Sequence, residues 1–296
     1  MNALFYKNTR RVGTIICNWS GIISDKYSLA PLTSLQKTFQ LFNINTTLEQ
    51  CKNLNGKNFE SHIQNMLFNN RDICMQWEDS YKRPPTLKDV KVLYSQFVPL
   101  QMNCLQQYGI LMPNVKKAFT RIRSHEVKIG CTTIFPRPMI NILYNSAIKQ
   151  GIYLDNIVCP EEVKNGLLPS PHLLYKNLDE LGINDIATVI KLDNSVIGIK
   201  EGLNAGCWTI GVSQYSPYMN INSEDHENEL TKMELYLRNK TSKQKLVDAG
   251  AHFVIDSIDD IFPIIHQINN NLAKGFCANT SLKEKERLSF PTFAFI

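Results

Sequence analysis

The chain has 296 residues, enough for one large domain or a core with an insert, and its 43% hydrophobic and 20% charged residues are ordinary for a globular protein. The formal charge of +5 is small and mixed with acids, as in Lys283-Glu284-Lys285-Glu286-Arg287, so the clustered charge of a nucleic-acid-binding face is missing. No apolar run suits a membrane span or a signal peptide, and none of the eight cysteines forms a Cys-x-x-Cys pair. The expectation is a reduced, cytoplasmic protein without zinc and without a nucleic-acid or membrane partner.

Residues 12–17 form a short apolar run that predicts a strand, ending at Asn18-Trp19-Ser20-Gly21. From about residue 28 to 108 the spacing turns helical, as in Leu32, Leu35 and Phe39, or Val90, Leu93 and Phe97. Arg83-Pro84-Pro85-Thr86 breaks this stretch, with Thr86 a candidate N-cap. Thereafter helices and strands alternate. Helices are expected at 115–123, 138–150, 172–181, 195–205, 243–249 and 258–270. Strands are expected at 127–131, 157–158, 188–192, 208–212 and 252–255. Such alternation indicates a doubly wound parallel sheet covered on both faces, a Rossmann-like α/β fold. The first strand belongs with the later series, so residues 1–25 and 109–273 form the core domain, 26–108 an inserted all-helical cap domain, and 274–296 a C-terminal tail. Cys17, Cys131 and Cys159 lie in or beside strands and read as small buried hydrophobes.

In such sheets ligands bind beyond the carboxyl ends of the strands. Those ends carry Asn18 to Gly21, Thr132-Thr133, Glu161 to Pro171 and Asp193-Asn194-Ser195. They offer hydroxyls and amides but one central carboxylate, Asp193. Asn18 and Asn194 read as caps of helices or turns, and Asp193 as a residue that tolerates a tight turn. Glu161 and Glu162 read as the start of a helical turn after Pro160 rather than as metal ligands.

At these same residues a resemblance becomes specific. The segment from Ile16 to Gly21 with Asp25 and Ala30-Pro31-Leu32 resembles the opening of phosphonoacetaldehyde hydrolases of the haloacid dehalogenase superfamily. Lys128 to Thr133 with Arg137 and Met139 is similar to their second motif, and residues 160–177 resemble the third. Ile190-Lys191-Leu192 with residues 200–212 is nearly the fourth, and Ala249 to Phe253 matches the last strand. The similarity runs in order from about residue 12 to 270.

The resemblance implies a catalytic aspartate at position 18, where this chain has Asn18, and an amide cannot act as that nucleophile. Matching Gly56 and His62 to the cap motif puts Phe59 where the family has its imine-forming lysine, with Lys57 two residues earlier. The arginine that steadies the phosphoryl group falls at Leu167 or Leu168. The aspartates that hold Mg²⁺ fall at Asn194 and Gly198, while Asp193 stands where the family has glycine. Mg²⁺ is the cofactor of the active family. With its ligands missing, neither a metal nor another cofactor is expected here.

Asn18, Ser20, Lys57, His62, Thr132, Thr133, Asp193 and Asn194 remain as candidate ligand-binding residues. The reading is a hydrolase-like pseudoenzyme that binds a partner protein or small ligand. The alternative is a hydrolase or phosphatase of the same superfamily with a site rebuilt around Asp193, Asp25, Lys57 or His62. The resemblance also implies a homodimer through the cap helices. Adding Asn194→Asp and Gly198→Asp to Asn18→Asp is expected to restore metal binding before any turnover.

Overall fold

In the computed structural model, residues 10–52, 58–164 and 167–279 are described. Strands β1 (Thr14–Asn18), β2 (Lys128–Thr132), β3 (Asn156–Val158), β4 (Val189–Asp193), β5 (Trp208–Val212) and β6 (Phe253–Ile255) form one sheet in the order β3-β2-β1-β4-β5-β6, all parallel. The strands are apolar nearly throughout, as burial of both faces requires. The order reverses beside β1, so the ends of β1, β2 and β4 lie side by side: Asn18 pairs with Thr132, and Cys17 with both Cys131 and Leu192. This is where open α/β sheets place their ligands.

The first crossing from the sheet leads into helices α1 (Leu29–Gln40), α2 (Leu48–Cys51), α3 (Phe59–Asn69), α4 (Arg71–Tyr81) and α5 (Leu87–Cys104), with no strand among the described residues of this insert. Thr86 starts α5 in a capping box with Asp89, as its position after the prolines predicts. Arg83 forks onto the same carboxylate at 2.7 Å through both nitrogens, holding Asp89 down at about 2. The chain then returns through α6 (Val115–Arg123), α7 (Arg137–Lys149), α8 (His172–Glu180), α9 (Val196–Ala205), α10 (Glu224–Glu229), α11 (Lys232–Asp248) and α12 (Ile261–Ala273). The expected helix 243–249 is the last part of α11, whose earlier turns are too polar and exposed to show a helical period. Cys17, Cys131 and Cys159 are fully buried.

Strand alternation splits the core. Ile15 and Cys17 face a cluster shared with α6, α7 and α12 that continues without a break into the cap through Leu35, Phe59 and Phe97. Ile16 points the other way, to Leu174, Leu178 and Val189 under α8. Cap and core therefore share one apolar interior, reinforced by packing of α5 on α7 and by a 2.7 Å bond from Lys52 Nζ to Asn220 Oδ1. At the first crossing Asp25, Tyr27 and Ser28 all have left-handed backbone, with φ of 58°, 58° and 56°. Each costs roughly 1–2 kcal/mol in a residue with a Cβ. The cost is offset locally: Asp25 Oδ1 accepts from Ala30 N at 2.9 Å, Oδ2 accepts from Ser20 Oγ at 2.7 Å, and Tyr27 N donates to Tyr215 O at 3.2 Å.

Candidate functional site

The strand ends converge on a polar cluster built around two amides. Asn18 ends β1 and donates both Nδ2 protons inward, to Ser20 O and to Asn194 Oδ1, each at 3.1 Å. Asn194 Nδ2 donates in turn to Tyr215 O at 3.2 Å. Gly21 makes this approach possible. Its φ is +72°, and a Cβ there would lie 2.0 Å from Asn194 Nδ2. Neither asparagine caps a helix; of the reading as helix or turn caps, the turn half has support in the bond from Asn18 Nδ2 to Ser20 O two residues on. The N-cap of α9 is Ser195, whose Oγ accepts from Gly198 N at 3.1 Å. The amides are drawn instead into the link between two neighbouring strands, a pairing that sequence separation conceals.

Asp193 is the last residue of β4, at the turn into α9. Its Oδ1 accepts from Ser195 N at 2.9 Å and Ser195 Oγ at 2.7 Å, and Oδ2 lies 3.3 Å from Lys191 Nζ. The carboxylate fills the space beside Gly198: a Cβ on Gly198 would sit 1.9 Å from Asp193 Oδ2. The Asp193 carboxylate in this position and a side chain on residue 198 are thus sterically exclusive. A carboxylate on residue 193 now occupies the volume into which a side chain on 198 would project.

Lys191 organises the floor of the cluster. Its Nζ lies 2.6 Å from Glu201 Oε2 and donates to Thr132 Oγ1 at 2.6 Å. Burial works against the ammonium, but the flanking Glu201 and Asp193 carboxylates override it and hold the lysine well above its ordinary value. Burial pushes Glu201 up as well. A protonated lysine with three partners is no general base for Thr132. Asp25 is pushed up to about 7 by burial, against the opposing bonds from Ala30 and Ser20.

Of the polar groups here, Asn194 and Asp193 are 0% and 1% exposed, Thr132 and Thr133 2% and Ser20 8%, while Asn18 and Ser195 are partly open. Phe59 is 2% exposed within the apolar interior. Its ring lies 4.9 Å from Phe97 of α5 and 6.0 Å from Phe135, which follows β2.

With 32% identity over 266 residues, the chain is similar to the phosphonoacetaldehyde hydrolase of Paraburkholderia phytofirmans, spanning 90% of this chain and 98% of that one. It belongs to the phosphonoacetaldehyde hydrolase family. The enzyme of the same name from Paraburkholderia xenovorans shares 32% over 266 residues, again with 98% of its length covered. A phosphonoacetaldehyde hydrolase-like protein from Oleispira antarctica superposes with a TM-score of 0.85 at 30% identity, over 94% of this chain and 99% of that chain. A β-phosphoglucomutase from Clostridium difficile shares the fold at a TM-score of 0.62, 16% identity and 88% coverage of this chain, with 98% of its own chain covered. No protein-family model matches the chain. The haloacid dehalogenase core with helical elements around it, expected from the linked motifs, is the architecture observed.

Within this family, the donors at the strand ends do not fit a Mg²⁺ ion, which takes one or two carboxylates in a near-octahedral shell. The carboxylates here are engaged: Asp193 by Ser195 and Lys191, Glu201 by Lys191, and Asp25 by Ser20 and Ala30. Asn194 Oδ1 is committed to Asn18. Among the described residues no three His, Cys, Asp or Glu side chains are grouped to hold a metal.

The structure brings Asn18, Ser20 and Asn194 together and joins Thr132 to Asp193 through Lys191. Thr133 Oγ1 turns to accept from Phe135 N at 3.1 Å. His62 is buried within the cap, its Nε2 donating to Cys51 O at 3.0 Å. Glu161 and Glu162 form the short helical turn after Pro160 and both bind Arg137, at its backbone N and its guanidinium respectively. Leu167 and Leu168 are half-buried and carry no charge to the cluster. Lys57 and Gly56 lie outside the described residues. Lys191, and Glu201 within residues 200–212, belong to the fourth motif by resemblance, with no role assigned from sequence. A lysine amid Val189, Ile190 and Leu192 was the available signal, because such a charge is buried only when paired. Phe135 carried no signal.

Proposed function

We propose that this family member has lost hydrolysis of the carbon–phosphorus bond and acts through binding of a partner protein or small ligand, as a pseudoenzyme. The observation that carries this reading is Asn18: at the nucleophile position stands an amide whose donors are both spent on its own fold. An amide lacks the carboxylate charge that attack on phosphorus needs. The aromatic Phe59 in place of an imine-forming lysine supports the same reading, as do the uncharged Leu167 and Leu168. A cytoplasmic homodimer joined through the cap helices is part of the proposal. The described residues contain no helix long and apolar enough to cross a membrane.

Asp193 favours one alternative, a hydrolase or phosphatase with a rebuilt site, because its carboxylate occupies the volume beside Gly198. Steady-state assays with phosphonoacetaldehyde and an aryl phosphate in millimolar Mg²⁺ separate the two. The pseudoenzyme reading expects rates equal to the blank, and no rise in melting temperature with Mg²⁺ beyond that from matched salt. Turnover of order one per second, abolished by Asn18→Ala, would establish the rebuilt enzyme instead.

A further inference from the structure

Helix α11 carries apolar side chains on two opposite faces. Leu235, Ser242 and Leu246 turn inward, and a Cβ on Gly211 of β5 would meet Leu246 Cβ at 3.1 Å. Met233, Tyr236, Leu237 and Val247 lie on the other face and are 65%, 56%, 52% and 51% exposed. All four fall within about 60° of Met233 around the helix, with Lys240 and Gln244 between them, and form one stripe about 21 Å long. Single exposed apolar side chains are ordinary, whereas a contiguous stripe of them marks a contact surface.

The chain leaves the core beside this helix. Thr209 and Gly211 share one face of β5, which α9 covers together with α11: a Cβ on Gly202 of α9 would lie 2.6 Å from Thr209 Cγ2. His252 Nδ1 accepts from Thr209 N at 3.1 Å, so its Nε2 carries the proton and donates to Ala278 O at 3.0 Å. Asn279 follows against Gly206, at the end of α9, where a Cβ would meet its Nδ2 at 3.0 Å. β5 and β6 run parallel and α11 finishes at Asp248, just before His252 and β6. Ala278 and Asn279 therefore emerge on the face that α11 covers, at the end where α11 finishes. Residues 280–296 lie outside the described residues. Their sequence passes from the charged 283–287 to Leu288, Phe290, Phe293, Phe295 and Ile296. Nine residues separate Leu288 from Asn279, an extended reach of about 30 Å, which exceeds the stripe's length.

We propose that residues 288–296 dock as an intramolecular strap on the exposed stripe of α11, laying their phenylalanines over Met233, Tyr236 and Leu237. Covering apolar side chains on both partners drives the contact. The tether selects this occupant over a second copy of the chain, because a short linker holds its segment at about millimolar effective concentration. The strap uses no residue of the amide cluster, so it stands whether or not the chain turns over a substrate.

Photo-cross-linking of the full chain, with p-benzoylphenylalanine in place of Phe293, tests the contact. Irradiation at micromolar protein is expected to give a product that migrates as monomer and whose cross-link maps to residues 233–247. Met233→Glu with Leu237→Glu, both on the exposed face, should leave the melting temperature unchanged. The pair should lower the cross-link yield about tenfold and speed tryptic cleavage at Arg287 by a similar factor. The cross-link map of the chain without these two changes decides the matter even where the double variant is unstable. No cross-link, a cross-link mapping elsewhere, or a yield that the two glutamates leave unchanged in a folded protein would overturn the strap. A cross-linked dimer would overturn it too, and would assign the stripe to a second copy of the chain.

Discussion

Replacing Gly198 with aspartate, the residue that the family resemblance places there, probes how the strand ends are packed. A Cβ at 198 would lie 1.9 Å from Asp193 Oδ2 and 2.0 Å from its Cγ, so the Asp193 carboxylate has to leave. Leaving breaks the bonds from Ser195 N at 2.9 Å and Ser195 Oγ at 2.7 Å, and the 3.3 Å pairing with Lys191. Lys191 keeps Glu201 at 2.6 Å, so the buried ammonium is not orphaned. Breaking a buried pair costs about 3–5 kcal/mol. A carboxylate in the first turn of α9 returns at most about 1 kcal/mol. Gly198→Asp is therefore expected to destabilise the fold by roughly 3 kcal/mol. Asp193→Gly alone, which removes one of two carboxylates on Lys191, should cost about 2 kcal/mol. The double variant delivers a carboxylate to the same volume from the other residue. It should be more stable than the sum of the single changes by about 2 kcal/mol or more. Urea unfolding of the four proteins at neutral pH measures this cycle. A Gly198→Asp protein within about 0.5 kcal/mol of the wild type, or strict additivity in the double variant, would refute the reasoning. For the expected repair by Asn18→Asp, Asn194→Asp and Gly198→Asp, the clash predicts that adding Asp193→Gly raises the stability of the triple variant.

Three further outcomes are expected. Asn18→Asp turns a carboxylate towards Ser20 O and Asn194 Oδ1, both acceptors at 3.1 Å from the present amide nitrogen; chemical denaturation should show a loss of about 1–3 kcal/mol, with no turnover gained. Phe59→Lys places an ammonium in a buried aromatic cluster, and should cost at least about 3 kcal/mol in the same assay, again without turnover; an unchanged midpoint would contradict the packing described. Asp25 releases its proton at about 7 when folded against 3.8 for its unperturbed value, so the native state binds more protons in that window and stability falls as pH rises from 4 to 7. This contribution is full below pH 4 and lost above 7, on the order of 4 kcal/mol, and stability–pH curves of Asp25→Asn should lack that slope.

The sequence alone determined the alternation of strands and helices, the cap inserted after the first strand, and the family. Those follow from local periodicity and from motifs whose residue types and order survive in one dimension. The resemblance also set Asn18, Phe59 and Leu168 at the family's catalytic positions as an expectation, because residue identities need no geometry. The tertiary structure decided what the remaining groups do. Asn18 and Asn194 were read as separate caps, yet strand pairing sets them side by side and Asn18 Nδ2 donates to Asn194 Oδ1. Asp193 and Gly198 were read as two independent departures, yet one side chain fills the space the other would need. Lys191 was a motif letter until the sheet and α9 brought Glu201 and Thr132 within hydrogen-bond reach. Phe59 was only an absent lysine until the cap laid it against Phe135. In each case the deciding quantity is a distance fixed by sheet register and helix packing, and local patterning holds no record of it.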